Sequence, residues 1–207
     1  MAYLNKKTKT METFQTLRRN IGILGLFLPF ILLIGAGPRP SISHYYYTNM
    51  GIVFTGVLWA FGLMLISYKG HRGDDKITNI AGFLIIIVSL IPTSHLAGES
   101  VAVNAHHNAV LNKIHLFSAG LFFYIMGYMS LFKFTKAKRD NRAKRRRNKY
   151  YKIAGLMVWL SISVLIPVTL LGWNITGNDV FIGETVALFF FGTSWLVKSK
   201  SLTAIGL

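Results

Sequence analysis

Six long apolar runs, separated by short polar or charged segments, dominate the pattern of the chain. Each run is long enough to cross a hydrocarbon core about 30 Å thick at a helical rise of 1.5 Å per residue. Backbone groups in lipid cannot bond to water, so each run is predicted to be a helix. The pattern predicts an all-α, polytopic membrane bundle that forms a single domain over residues 1–207, with six transmembrane helices at 21–37, 51–68, 77–96, 114–132, 150–173 and 180–197.

Composition supports a membrane protein and excludes several other classes. With 52% hydrophobic residues and a mean hydropathy of +0.45, the chain is too apolar for an ordinary soluble domain. It contains no cysteine, which excludes disulfides, thiolate metal sites and thiol-linked haem. A net charge of +16 is also found in nucleic-acid-binding proteins. Here, however, the charges lie at the ends of apolar runs without interleaved aromatic residues, so no nucleic acid is expected as a partner.

The distribution of positive charge predicts the orientation of the bundle. Residues 133–149, KFTKAKRDNRAKRRRNK, contain ten Lys or Arg and a single acid, Asp140. With six spans, 21 of the 23 Lys and Arg lie on the same side as this segment, and only Arg39 and Lys113 lie on the other. Cytoplasmic loops carry such an excess, which predicts N-in, C-in topology in a bacterial inner membrane. The cytoplasmic basic loop 133–149 is also expected to attract anionic lipid headgroups.

The five prolines fall next to or inside the predicted spans. Pro29, Pro92 and Pro167 lie inside spans one, three and five, where proline predicts a kink that serves helix packing. Pro38 and Pro40 directly follow the first apolar run, and no small-x-small cleavage site is present there. The first run is therefore predicted to be an uncleaved helix rather than a signal peptide.

The groups that could support chemistry lie on the predicted outer side, opposite the basic charge. Five of the six histidines are there. Glu184 stands out because it lies about four residues into the sixth run, roughly 6 Å below the outer boundary. A carboxylate at that depth is costly unless it is paired, protonated or facing a polar cavity, so it is a functional candidate. The alternative is a glutamate that reaches headgroup water or bonds to a neighbouring helix for packing alone.

Other outer-side residues lie at a depth similar to that of Glu184, and a compact bundle would bring them together. Two or three histidines with a carboxylate would suit zinc with one position open for water. Hydrogen-bonded structural histidines are the alternative interpretation. The predicted site has His44, His95 and His115 as metal ligands and Glu184, Ser43 and Ser118 as catalytic residues.

Four stretches of the sequence resemble a family of small bacterial membrane proteins that carry a domain of unknown function. They are LRRNIGILGLFLPFILL, SISHYYYTNMGIVFTG, IHLFSAGLFFYIMGYMSLFKFTK and FIGETVALFFFGTSWLVK. The resemblance covers nearly the whole chain. It implies a six-helix membrane fold and brings no assigned activity.

A more distant resemblance is to the intramembrane hydrolases that include alkaline ceramidases and adiponectin receptors. That superfamily has Ser-x3-His on one helix, an Asp soon after, and His-x3-His on the last of seven spans. Here Tyr47 stands where the histidine after Ser43 would be, no Asp follows, and the sixth span offers only Glu184. The resemblance implies a zinc-dependent hydrolase of lipid amides or esters.

Three hypotheses about function follow from the sequence. The first is a binding or accessory protein of the inner membrane with an outward polar pocket. The second is a zinc-dependent hydrolase in which the metal activates water, Glu184 is a base or ligand, and Ser43 or Ser118 orients a lipid substrate. The third is a haem protein ligated by His95 and His115, which would lack a second haem to carry electrons across the membrane. The sequence leaves open whether the protein is an enzyme.

Overall fold

The computed structural model describes residues 2–70, 73–94, 109–136, 142–171 and 175–202, with side chains from residue 11 onward except at 169–170. All regular structure in these ranges is helical. A 3₁₀ helix, Ile42–Tyr47, lies between the first two α-helices, and a π-helical turn, Met129–Lys133, extends the fourth. The α-helices are α1 (Ala2–Ala36), α2 (Gly51–Ser67), α3 (Asp74–Leu90), α4 (Ala109–Tyr128), α5 (Arg142–Leu171) and α6 (Asp179–Lys198).

Each of the six predicted runs coincides with one α-helix, so the all-α fold class is confirmed. Four of these helices are long and apolar enough to cross a membrane, namely α1, α4 with its π-helical turn, α5 and α6. The helix α2 is apolar but has 17 residues, and α3, also of 17, begins with Asp74, Asp75 and Lys76. The apolar helices are compatible with a membrane protein, while six spans and their orientation stay predictions.

Several helix ends differ from the predicted span boundaries, and two of the differences have an identifiable reason. The helix α3 ends at Leu90 and not at residue 96, because Pro92 has no N–H to donate to the Val88 carbonyl. Pro92 therefore follows its helix, whereas Pro29 and Pro167 lie inside theirs. The helix α5 begins at Arg142, so the second half of the basic loop is helical. Arginine and lysine are good helix formers, which explains this extension.

The six helices form a ring in chain order, which contacts between α1 and α6 close. Three of the contacts are glycine-to-glycine crossings, in which one backbone lies against the other. A Cβ added to one member of each pair would lie 2.6–2.8 Å from the carbonyl oxygen of its partner. Such small residues allow membrane helices to pack closely. The pairs are Gly22–Gly192 between α1 and α6, Gly62–Gly82 between α2 and α3, and Gly127–Gly155 between α4 and α5.

Three phenylalanines fill the centre of the ring. Phe61, Phe122 and Phe191 come from α2, α4 and α6, and each is at most 3% exposed. Their ring centroids are 5.3–6.2 Å apart with tilted or edge-to-face geometry, the arrangement that aromatic quadrupoles favour. We name the two ends of the bundle after the predicted orientation: the outer end carries the 3₁₀ helix, and the inner end carries the basic charge.

At the inner end, cations are held by aromatic rings, carbonyls and a buried acid. Lys133 forms an ion pair of 3.0 Å with Asp74 at the start of α3. Arg18 donates from Nε to the Tyr68 hydroxyl at 3.3 Å and lies over the same ring. Lys198 lies 5.1 Å from the centre of the Phe134 ring. These contacts join α1, α3, α6 and the residues that end or follow α2 and the π-helical turn.

The glycine crossings can be tested with matched alanine substitutions. In Gly192→Ala the new Cβ would lie 2.7 Å from the Gly22 oxygen, and we expect a loss of about 1–3 kcal/mol of stability from overpacking. Gly56→Ala is the control, because nothing lies within 4 Å of a Cβ there. The control should be neutral or gain about 0.5–1 kcal/mol of helix propensity. Thermal unfolding in detergent, followed by size exclusion, measures both; equal melting temperatures would contradict the close crossing.

Candidate functional site at the outer end

The segment between α1 and α2 folds back over the outer end of the ring. Tyr45 is fully buried and donates its hydroxyl to the Gly37 carbonyl at 2.6 Å. Burial raises the pKa of Tyr45 and the positive charge of Arg39 opposes that shift, so the hydroxyl stays a donor at neutral pH. The N–H of Phe181 on α6 donates to the Pro40 carbonyl at 2.9 Å. These bonds hold the 3₁₀ helix in place.

The 3₁₀ helix presents Ser43 to His115 of α4. The Ser43 Oγ lies 2.8 Å from Nε2 of His115, and both residues are buried, at 7% and 2% exposure. The other ring nitrogen, Nδ1, lies 2.5 Å from the Ile91 carbonyl oxygen. A carbonyl can only accept, so Nδ1 carries the proton and Nε2 accepts from the Ser43 hydroxyl. The result is a Ser–His pair whose imidazole is fixed in one tautomer by the backbone.

Pro92 explains why a backbone carbonyl is available to His115. The helix α3 ends at Leu90, and carbonyls in the last turn of a helix have no intrahelical partner. A buried carbonyl needs a donor, and the His115 ring provides it.

Glu184 lies next to this Ser–His pair. Its Oε2 accepts a hydrogen bond of 2.6 Å from the N–H of Ile42, the residue before Ser43. The side chain is half-buried. The structure therefore places the predicted residues Ser43, His115 and Glu184 at the same end of the bundle, where α4, α6 and the 3₁₀ helix meet.

Two hollow regions lie beside Glu184. A cavity of about 40 Å³ lies inside the ring beside Phe61 and Phe122, and its lining is apolar apart from Ser43 and Glu184. A groove of about 480 Å³ lies between α4, α5 and α6 and is lined by Leu116, Phe117, Ala119, Gly120, Phe123, Ile162, Leu165, Ile166, Val180 and Glu184. Three residues line both regions and form the wall between them, namely Ala119, Phe123 and Glu184.

The other predicted site residues take no part in the Ser43–His115 bond or the Glu184–Ile42 bond, or they lie outside the described ranges. The His44 Nδ1 lies 2.7 Å from the Ser41 Oγ, and His44 is half-buried. Ser118 is buried one turn from His115 but is not among the residues lining the cavity or the groove. His95 lies outside the described residues.

A metal site is not visible in the described part of the chain. No group of three or more His, Asp or Glu side chains within it could hold an ion. Both ring nitrogens of His115 are hydrogen-bonded, so ligation of zinc or haem iron would require the loss of one of these bonds. Because His95 is not described, the zinc and haem hypotheses stay predictions.

Sequence reasoning found the residues of the pair but not the pairing. It assigned His115 to a metal and Ser43 to the substrate, and it missed the Ile91 carbonyl and the wall residues Ala119 and Phe123. The sequence does contain one indication of the carbonyl. A proline inside an apolar run, here Pro92, predicts that a helix ends nearby and that its last carbonyls need donors from outside the helix. Nothing in the sequence indicates which apolar side chains line a groove.

No family model, curated protein or solved structure matches the chain. The two resemblances drawn from the sequence therefore stay predictions, and the function is inferred from the geometry of the site.

The Ser43–His115 bond should contribute measurably to stability. Ser43→Ala leaves a buried ring nitrogen without its donor, so we expect a loss of about 1–3 kcal/mol. Ser194→Ala is the matched control, because Ser194 is 1% exposed and donates only to the Phe191 carbonyl of its own helix. That change should cost little, since a helical carbonyl keeps its backbone donor. Thermal unfolding in detergent compares the two; a Ser43→Ala variant as stable as the control would contradict the bond.

Proposed function

We propose that the protein is an inner-membrane protein that binds a membrane amphiphile from the lipid phase. The apolar chain of the ligand occupies the groove between α4, α5 and α6, and its polar head lies at Glu184. The observation that supports this best is that Glu184 borders both the apolar groove and the cavity next to Ser43.

The groove has the properties of a site for an acyl chain. Its volume of about 480 Å³ is within the range of small-molecule sites in proteins. It opens on the side of the bundle, where Phe117 and Ile166 are 69% and 55% exposed. Nine of its ten lining residues are apolar or glycine, and Glu184 is the exception. A chain entering from the bilayer would therefore exchange one apolar environment for another while its head meets a carboxylate.

The carboxylate of Glu184 indicates the chemistry of the head. A carboxylate has about four acceptor sites, and the Ile42 N–H occupies one of them. The remaining acceptor capacity favours a head that donates hydrogen bonds, such as a hydroxyl, an amide N–H or an ammonium group. A head that only accepts, or that carries a bare anion, would be repelled by an ionised Glu184.

Filling the groove tests this proposal. Nothing lies within 4 Å of a Cβ built on Gly120, which lines the groove, so Gly120→Phe should fit while occupying the ligand space. We expect it to reduce crosslinking by a photoreactive fatty-acyl monoglyceride in nanodiscs at least fivefold. Gly56→Phe on the exposed surface of α2 is the matched control and should crosslink like the wild type. Crosslinks on α4–α6 that survive Gly120→Phe would contradict binding in the groove.

The proposed orientation can be measured with single cysteines, because the chain has none of its own. Ala143 lies in the basic start of α5, and Ile175 is 85% exposed beyond the other end of that helix. In intact bacterial spheroplasts, a membrane-impermeant maleimide should label Ile175→Cys and should label Ala143→Cys only after permeabilisation. The reverse pattern would place the basic segment outside and overturn the topology.

A further inference from the structure

We propose that Ser43 and His115 form a catalytic pair that hydrolyses a carboxylic ester of the bound amphiphile. This inference rests on the proposed function, because the groove supplies the substrate. It needs no metal and gives Ser43 the role of nucleophile. It also explains why a serine hydroxyl and an imidazole are paired beside a cavity in an otherwise apolar ring.

The geometry is that of an activated nucleophile. The Ser43 Oγ lies 2.8 Å from the His115 Nε2, and Nε2 is the unprotonated nitrogen because Nδ1 bonds to the Ile91 carbonyl. A nucleophile within hydrogen-bond reach of a base, with the base oriented by a third group, is the recurring arrangement of covalent catalysis. Here a backbone carbonyl takes the orienting position that a carboxylate has in the Ser–His–Asp triad.

The position of Ser43 also fits the proposed substrate path. Ser43 lines the central cavity, whose volume of about 40 Å³ can hold one water molecule. The wall residues Ala119, Phe123 and Glu184 line both that cavity and the groove. An acyl chain in the groove would place its ester at this wall, with the donor groups of its head on Glu184. A movement of the Phe123 ring would then open the way to Ser43.

The reaction balances with water as the only co-reactant. The Ser43 oxygen attacks the ester carbonyl carbon while its proton moves to Nε2 of His115. The bond from that carbon to the alcohol oxygen breaks, the alcohol takes the proton from Nε2, and the acyl group remains on Ser43. Water from the outer aqueous phase then attacks the acyl carbon and gives a proton to Nε2. The carboxylic acid leaves, and the Ser43 oxygen recovers its proton.

The same segment provides a matched control for reactivity. Ser41 and His44 form a second Ser–His pair, with a distance of 2.7 Å between Oγ and Nδ1. Ser41 is 7% exposed, like Ser43, but it is not among the residues that line the cavity or the groove. If burial and an imidazole neighbour were enough for reactivity, both serines would react. The proposal requires that only Ser43 does.

The experiment is covalent labelling of the full-length protein in lipid nanodiscs with a long-chain alkyl fluorophosphonate. Peptide mass spectrometry of the wild type identifies the modified residue, so the result does not depend on a variant that folds. We expect labelling at Ser43, a loss of at least tenfold in His115→Gln and Ser43→Ala, and unchanged labelling in Ser41→Ala. The same variants are then assayed for release of fatty acid from a long-chain monoglyceride.

Each outcome decides between hydrolysis and binding alone. Labelling at Ser43 that needs His115, together with fatty-acid release lost in Ser43→Ala, supports the proposal. No labelling of the wild type, labelling of Ser41 instead, or release that Ser43→Ala leaves unchanged overturns it. The monoglyceride crosslinking described above separates the two proposals, because crosslinks in the groove without labelling at Ser43 leave lipid binding intact and remove the ester hydrolysis. Stoichiometric zinc that is required for release would assign the chemistry to a metal instead.

Discussion

The close approach of helix backbones at three glycine pairs is the constraint on which the rest of the structure depends. Lipid chains are as apolar as leucine, so burial of apolar surface does not hold membrane helices together, and close van der Waals contact must do so. The Gly22–Gly192 crossing closes the ring by joining the first helix to the last. Once the ring is closed, the aromatic layer of Phe61, Phe122 and Phe191 fills its middle.

At the outer end of the closed ring, polar groups that would be costly to leave unpaired in lipid form hydrogen bonds with one another. Pro92 ends α3 and leaves the Ile91 carbonyl without a helical donor, His115 donates to that carbonyl, and Ser43 donates to His115. Glu184 accepts from the backbone of the residue beside Ser43. An unpaired polar group costs several kcal/mol in an apolar medium, so this chain of bonds would stabilise the bundle even without a ligand. The residues with a proposed functional role therefore also stabilise the fold. The effect of substituting one of them must be compared with that of a matched control substitution.

The positions of the helices could be predicted from the sequence, but the contacts between residues far apart in the chain could not. Six apolar runs matched six helices because apolar length is a local property, and Glu184, Ser43 and His115 stood out because they are polar at membrane depth. The Ser43–His115 pair could not be predicted, since it joins residues far apart in the chain through a fold-back segment. Residues 142–149 are predicted to be a loop because their charge marks topology, whereas they are helical in the structure because arginine and lysine also favour helices. The groove depends on how α4, α5 and α6 pack together, which no local pattern records.

If the groove binds a membrane amphiphile, as we propose, its opening on the side of the bundle determines how its occupancy is controlled. A ligand that enters between α4, α5 and α6 would arrive by diffusion in two dimensions without leaving the leaflet. Its effective concentration is then its mole fraction among the surrounding lipids, so dilution of the protein in water would not empty the site. The bulk lipids would compete with the ligand for the groove. Because their acyl chains are similar to that of the ligand, selectivity would depend on how the head of the ligand and the heads of the bulk lipids differ in their interaction with Glu184.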